Sequence, residues 1–300
     1  MSTDGAATGS ELAGAAPTPA APATGPTRDA PAAAPTPAAP ATAPTPPGRI
    51  EAIALDGIPE IVAGDDLGRL IGEAIERTAD LLPLRADDVV VVTQKIVSKA
   101  EGAVVDLTSV EPRPEAVAFA ERWDRDPRQI EVVLREARRV VRMEHGVLIT
   151  ETPHGFICAN GGVDASNVGP DSGTIVTLLP ADPDASATAI RSAIRARFET
   201  DVPVIVSDSF GRPWRWGITD VAIGVSGLVP IDDLRGQLDA DGRVMKSTIR
   251  ASADEIASAA ELALGKVGGR PVAVVRGAQP LLGEGSIADA LMARYFDLFP

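Results

Sequence analysis

The chain has 300 residues, a formal net charge of −14 and only 3% aromatic residues. Its first fifty residues include 35 that are Ala, Pro or Thr, too few large apolar groups to offset the entropy of ordering, so residues 1–48 are expected to be a disordered tail and 49–300 one folded domain. Acidity and aromatic poverty exclude a phosphate-backbone or base-stacking surface, and no apolar run approaches the roughly 20 residues that cross a bilayer, so neither nucleic acid nor membrane is an expected partner.

Folding is expected to begin near Ile50, where RIEAIAL alternates as a half-buried strand does. Helical spacing runs from Leu67 to Leu82, with Asp65 or Asp66 as the cap. The run Val89–Val92 suits a strand buried on both faces. A helix is predicted over Pro127–Met143. Paired strands are predicted at Gly146–Ile149 and Phe156–Ala159, around Pro153-His154-Gly155. Next come a helix Asp184–Arg197, strands Val202–Val206 and Thr219–Val225, a helix Asp254–Leu264, a strand Val272–Val275 and a short helix Ile287–Phe296. Strands follow strands too often for strict alternation, so the predicted class is α+β, with mixed sheets and packed helices. No G-x-G-x-x-G follows a strand and no G-x-x-x-x-G-K-[ST] occurs, so any nucleotide site is of another kind.

Residue types narrow the chemistry further. Cys158 is the single cysteine, which excludes an intrachain disulfide and suits a cytoplasmic location. With His145 and His154 the only histidines, a Cys/His zinc site is nearly excluded. A metal would rest on carboxylate oxygens, which favours magnesium or manganese.

Three segments place polar groups beside strands. Thr93–Gly102 holds Lys95 and Lys99, two of only four lysines; it is either a phosphate-neutralising loop or a solvated one pairing with Glu101. Asn160–Gly169 is glycine-rich and carries Asp164 and Asn167; taken alone, ordinary turn chemistry is the better account of it. Ser207–Asp220 interleaves Trp214 and Trp216 with Arg212 and Arg215, after Asp208 at a strand end; the tryptophans either meet a flat ligand or cap a core edge. Together, Asp164 and Asp208 could share a divalent cation while Lys99 faces phosphate.

These segments resemble the coenzyme F420-0:L-glutamate ligase family. The resemblance rests on GIPEI (57–61), VVTQKIVSKAEG (91–102), CANGGVDASNVG (158–169), LLPADPDASA (178–187), SDSFGRPWRWGITDVAIG (207–224) and PVAVVRG (271–277). It implies a family-specific ligase fold and a GTP-dependent enzyme that adds L-glutamate through γ-linkages to F420-0 by way of an acyl phosphate. It implies that Ile58, Pro59, Glu60, Ile61, Gln94, Lys99 and Asn167 contact GTP, and that Asp164 and Asp208 hold one divalent ion. Ser209, where the family often has threonine, would help hold a second. It further implies magnesium or manganese, potassium as a monovalent candidate, and a homodimer. No single catalytic residue is implied.

Two departures accompany the resemblance. Some members carry an acidic or amide ligand for the second metal where this chain has Lys266, and a charged lysine cannot ligate. Some relatives continue into a flavin-binding domain, whereas a stand-alone ligase domain is expected here. Two other readings stay open at this level: a related ligase acting on another carboxylate acceptor, and a non-catalytic module that binds deazaflavin or nucleotide.

Overall fold

A computed structural model describes residues 48–165, 173–266 and 268–298. The expected N-terminal tail and Asn167 lie outside them. The first elements are β1 (Glu51–Ala54), α1 (Leu67–Arg77), β2 (Val89–Thr93), α2 (Gln94–Ala100), β3 (Val104–Asp106), α3 (Pro114–Trp123) and α4 (Pro127–Glu136). There follow β4 (Arg139–Glu144), β5 (Val147–Glu151), β6 (Ile157–Ala159), β7 (Ile175–Thr177), α5 (Pro183–Phe198), β8 (Val204–Arg212) and β9 (Arg215–Ser226). The last are β10 (Asp232–Asp233), β11 (Ile249–Arg250), α6 (Ser252–Leu264) and β12 (Val272–Arg276). Among the described residues, no helix is long and apolar enough to cross a membrane.

The main sheet has the order β1-β12-β2-β8-β9, with β2 and β8 parallel and the other neighbours antiparallel. This is the expected α+β class with mixed sheets. Val89–Val92 of β2, Val204–Val206 of β8 and Val272–Val275 of β12 are fully buried, which explains their unbroken apolar runs. Helix α6 lies against β1, β12, β2 and β9, while α5 packs on β8 and β9 and carries α1. The first turn of α5 comes so close to β9 that a Cβ on Gly224 would sit 2.5 Å from the Pro183 carbonyl. A smaller layer, β4-β5-β6, packs with α3 and α4 around Phe119, Ile130 and Leu148.

Several expected elements end or change where local chemistry intervenes. The helix from Leu67 stops at Arg77, not Leu82: the Thr78 hydroxyl and N–H both turn back to the Ala74 carbonyl, and Pro83 disfavours helix just before it. Asp66, one of the two expected caps, accepts from the Arg69 N–H. The helix expected over Pro127–Met143 stops at Glu136, and Arg139–Glu144 is a strand. There His145 and Gly146 take positive φ and close a two-residue hairpin into β5. The helix expected at Ile287–Phe296 is instead two single turns of tighter helix, Ile287–Ala290 and Arg294–Phe296.

A buried ion pair ties the start of β2 to the end of β12. Arg276 donates from Nε and Nη2 to the two carboxylate oxygens of Asp88 at 2.8 and 2.7 Å, and from Nη2 to the Leu81 carbonyl at 2.9 Å. Asp88 is fully buried. Removing one partner strands the other charge away from water. Asp88→Ala is therefore expected to lower the unfolding free energy by about 3–5 kcal/mol. Urea denaturation checks this as a lower midpoint at unchanged slope; a loss below about 1 kcal/mol would show that the pair is not desolvated.

Candidate functional site

A cleft of 520 Å³ opens where the parallel pairing of β2 with β8 stops, at Thr93 and Ser207, beside the end of α6. Its lining includes Ile58, Pro59, Glu60, Ile61, Gln94, Lys99, Asp164, Asp208 and Ser209. Every expected site residue within the described chain is thus brought to one cavity. Asn167 lies outside the described residues.

The segment read as a lysine loop is helix α2. Ile96 and Val97 anchor it in the core, and Lys95 and Lys99, one helical turn apart, share a face toward the cleft. Each meets a carboxylate: Lys95 Nζ lies 2.8 Å from Asp164 Oδ2, and Lys99 Nζ 2.5 Å from Glu60 Oε1. Gln94 is almost wholly buried, and its side-chain oxygen accepts from the Ser98 hydroxyl at 2.7 Å. Ile61 is a core residue whose edge reaches the cleft, so the Ile58–Ile61 loop is anchored from below.

Asp164 is held through its backbone, which exchanges N–H···O bonds with Thr177 at 3.0 and 2.9 Å. The turn that delivers it requires glycine: Gly162 has φ +73°, and a Cβ there would lie 2.5 Å from Leu179. Part of the glycine-rich segment is therefore tightly packed.

The segment Ser207–Asp220 is mostly hairpin, not loop. β8 continues to Arg212 and pairs with β9 from Arg215. The register jumps so that Val206 faces Gly224 but Ser207 faces Ala222, leaving Ile223 as the extra residue of a bulge. Without that bulge, Ser209 would oppose Val221; with it, Ser209 opposes Asp220. Strand alternation puts Ser207 and Ser209 on one face, and their hydroxyls donate to Asp220 Oδ2 and Oδ1 at 3.1 and 2.6 Å. Helix α6 secures the bulged strand at helical spacing. Asp254 accepts the Ala222 N–H, the Ser258 hydroxyl donates to the Asp220 carbonyl, and Glu261 accepts the Asp220 N–H.

Trp214 and Trp216 do not cap a core edge and do not line the cleft: they are 82% and 100% exposed near the hairpin end. Arg212 and Arg215 are likewise outside the lining, and Arg212 donates to the Trp216 carbonyl. Among the charged cleft residues, Asp220, Glu261 and Arg270 had no assigned role from sequence, Lys95 stood only beside Lys99 in the phosphate-neutralising segment, and Lys266 only as a departure from the family. For Lys95, the four-residue spacing from Lys99 within an apolar-anchored segment was the available signal. Asp220 and Glu261 depend on the bulge and on α6 packing, which no local pattern announces.

Electrostatically the cleft favours a cation. Asp208 is pushed up to about 7, first by burial and then by the nearby charges of Asp164 and Asp220; the Ser209 N–H and Lys95 pull it the other way. A divalent ion would relieve that repulsion, so Asp164 and Asp208 fit one. Among the described residues no three His, Cys, Asp or Glu side chains form a metal-holding group. Two carboxylates with the remaining positions left to water and substrate phosphate suit magnesium more than a fully protein-ligated ion.

The raised pKa has a consequence of definite sign. From its ordinary value of 3.8 to about 7, folded Asp208 keeps a proton that the unfolded chain has released, so stability falls as pH rises across that interval. Asp208→Asn removes this cost. In metal-free protein its stability advantage over the parent is expected to grow from about pH 4 to pH 7 and then level off, reaching an order of 1–3 kcal/mol. Thermal melts in chelator across pH check it; a constant advantage at every pH would assign the effect to packing.

Comparison with known proteins gives this geometry a context. The family model for F420-0:Gamma-glutamyl ligase matches residues 57–277. The coenzyme F420:L-glutamate ligase of Methanothermobacter thermautotrophicus is 41% identical over 251 residues, covering 82% of this chain and 97% of that protein. The enzyme of the same name from Methanopyrus kandleri is 46% identical over 220 residues, 73% of this chain and 83% of that one. That from Methanocaldococcus jannaschii is 40% identical over 218 residues, 72% and 86% of the two chains. The matched stretch runs from the Ile58–Ile61 loop to the end of β12 and contains every residue of the cleft, and on that ground the chain belongs to the F420-0:gamma-glutamyl ligase family.

Proposed function

We propose that this protein is a GTP-dependent ligase that joins L-glutamate through γ-linkages to coenzyme F420-0, forming carbon–nitrogen bonds by way of an acyl phosphate. The observation that carries the proposal is the convergence, in one cleft of a chain of this family, of Lys95 and Lys99 with Asp164 and Asp208. A free carboxylate is a poor acyl donor. Phosphorylation cures this: a carboxylate oxygen attacks the γ-phosphorus, GDP leaves, and the glutamate amine then attacks the carbonyl carbon and expels phosphate. Both halves handle dense negative charge, and the protein's part is to position and neutralise it.

Individual residues suit that division of labour. Ile58 and Pro59 offer an apolar wall for a base, with Ile61 anchoring their loop in the core. Lys99, whose side chain is only 10% exposed, is a preplaced point charge beside Glu60, and exchanging that carboxylate for phosphate keeps it neutralised. Gln94 is fixed by Ser98 and presents a rigid amide at the same wall. Asp164 and Asp208 would hold a magnesium or manganese ion, with the Lys95 ammonium beside Asp164 offsetting part of their charge. When bound, such an ion supplies charge stabilisation to the transferring phosphoryl group. Homodimerisation has a candidate surface at the exposed apolar end of the β8–β9 hairpin, around Trp214, Trp216 and Ile218.

Mass spectrometry of the reaction products tests the reading. Protein mixed with F420-0, L-glutamate, magnesium and GTP is expected to yield F420 species one or more glutamyl units heavier, and ATP in place of GTP is expected to yield none. An equal ladder with ATP would remove the nucleotide assignment. No ladder from folded protein would remove the ligase assignment. Lys99→Ala is expected to lower the rate by about 100-fold or more while the protein still folds, as loss of a preorganised charge does.

A further inference from the structure

The end of α6 holds an arrangement that the two-carboxylate site does not use. Gly265, at φ +63°, ends the helix, and Lys266 follows immediately. Its ammonium reaches three oxygens: Asp220 Oδ1 at 3.1 Å, Glu261 Oε1 at 2.6 Å and the Ser209 hydroxyl, in a very short contact. These partners come from β9, α6 and β8. Asp220 is almost fully buried and is already donated to by both Ser207 and Ser209. A lysine ammonium has three protons, and each finds an oxygen here. The Ser209 oxygen donates its proton to Asp220 and accepts from Lys266, so its electron pairs are partly spent.

We infer that the Lys266 ammonium is a tethered cation that occupies the Ser209–Asp220–Glu261 pocket in place of a metal ion, so that this protein binds one divalent ion in the cleft and not two. The inference rests on the cation reading of Asp164 and Asp208. A second ion does not fit the residues present. It would have to displace an ammonium from two carboxylates, and it would then lie beside that same displaced charge. A lysine adds +1 to the pocket where a divalent ion adds +2, and it does so without dependence on ion concentration. Ser209 in this arrangement is a positioning residue for Lys266, not a metal ligand. Lys266 is in turn a positioning residue for Asp220, whose charge acts on Asp208.

Counting bound manganese tests this without reference to turnover. Full-length protein, stripped of metal, is titrated with Mn²⁺ alone, and free ion is read by electron paramagnetic resonance. The parent protein is expected to bind one Mn²⁺ per protomer. Lys266→Gln, which removes the charge and offers an amide oxygen, is expected to bind two. Lys266→Arg, which keeps the charge, is expected to bind one. Asp208→Asn is expected to lose the ion of the parent protein, which assigns it to the Asp164–Asp208 pair. Two ions in the parent, or one ion in Lys266→Gln with a melting temperature like the parent's, would overturn the inference while leaving the cation reading of the cleft intact. No ion in the parent would overturn both. Because Lys266 is half exposed, its replacement is expected to leave folding intact, and the melt of each variant verifies that.

Discussion

Besides Glu60, which meets Lys99, four carboxylates, Asp164, Asp208, Asp220 and Glu261, line one cleft, and the surrounding structure is organised by the need to keep them there. Carboxylates withdrawn from water repel one another and shed their charge unless cations or N–H donors meet them. The protein answers differently at each position. Asp164 receives Lys95, Asp220 receives two hydroxyls and Lys266, and Glu261 receives a backbone N–H and Lys266. Asp208 is buried beside the charges of Asp164 and Asp220, and its pKa is pushed up to about 7. The residual imbalance lies at the strand end that a ligand or ion can reach, which is where differential binding is useful to catalysis.

The scaffold that maintains this imbalance is built from rigid parts. The parallel pairing of β2 with β8 ends at Thr93 and Ser207, and buried valines fix its height in the sheet. The bulge at Ile223 selects which β9 side chain faces Ser209, and α6 satisfies the bulged backbone through Asp254, Ser258 and Glu261. Thus the same helix that covers the core also supplies Glu261 to the cleft and delivers Lys266 just past its end. A small rotation of α6 would disturb core packing, strand hydrogen bonding and site charge together, so these features are coupled and support one another.

Much of this was legible in the residues. Val89–Val92 and Val272–Val275 are β-branched runs buried on both faces, and their strands lie where the pattern puts them. The site residues that the resemblance implies line the cleft wherever they are described. What stayed hidden had physical reasons. Helix α2 is only seven residues long, too short for a helical period to stand out, and burial of Ile96 and Val97 holds it in place. The β4 strand follows α4 with no helix-stopping glycine, and its signal is the His145-Gly146 turn beyond it. Ser207–Asp220 looked like a loop because its outer half is polar, glycine-bearing and exposed, yet pairing continues to Arg212. Long-range register, which sets Asp220 opposite Ser209, has no local signature at all.

The division of labour between the two basic side chains follows from the same electrostatics. The chain has 28 basic residues and only four are lysine, yet Lys95, Lys99 and Lys266 all line the cleft, where Arg270 is the arginine. Elsewhere arginine forks grip carboxylates with two bonds each, as in Arg113–Glu131, Arg191–Asp201, Arg197–Glu76 and Arg276–Asp88. A planar fork has a preferred partner geometry and keeps it, which serves structure. An ammonium is a compact point charge with rotatable donors, and it can exchange a carboxylate for a phosphate without a new fit. In a protein of net charge −14, these lysines set compact positive charges among the carboxylates of the cleft. A cation or an anion entering there finds opposite charge within reach, so the cleft's selectivity depends on charge placement and not on the sign of the global field.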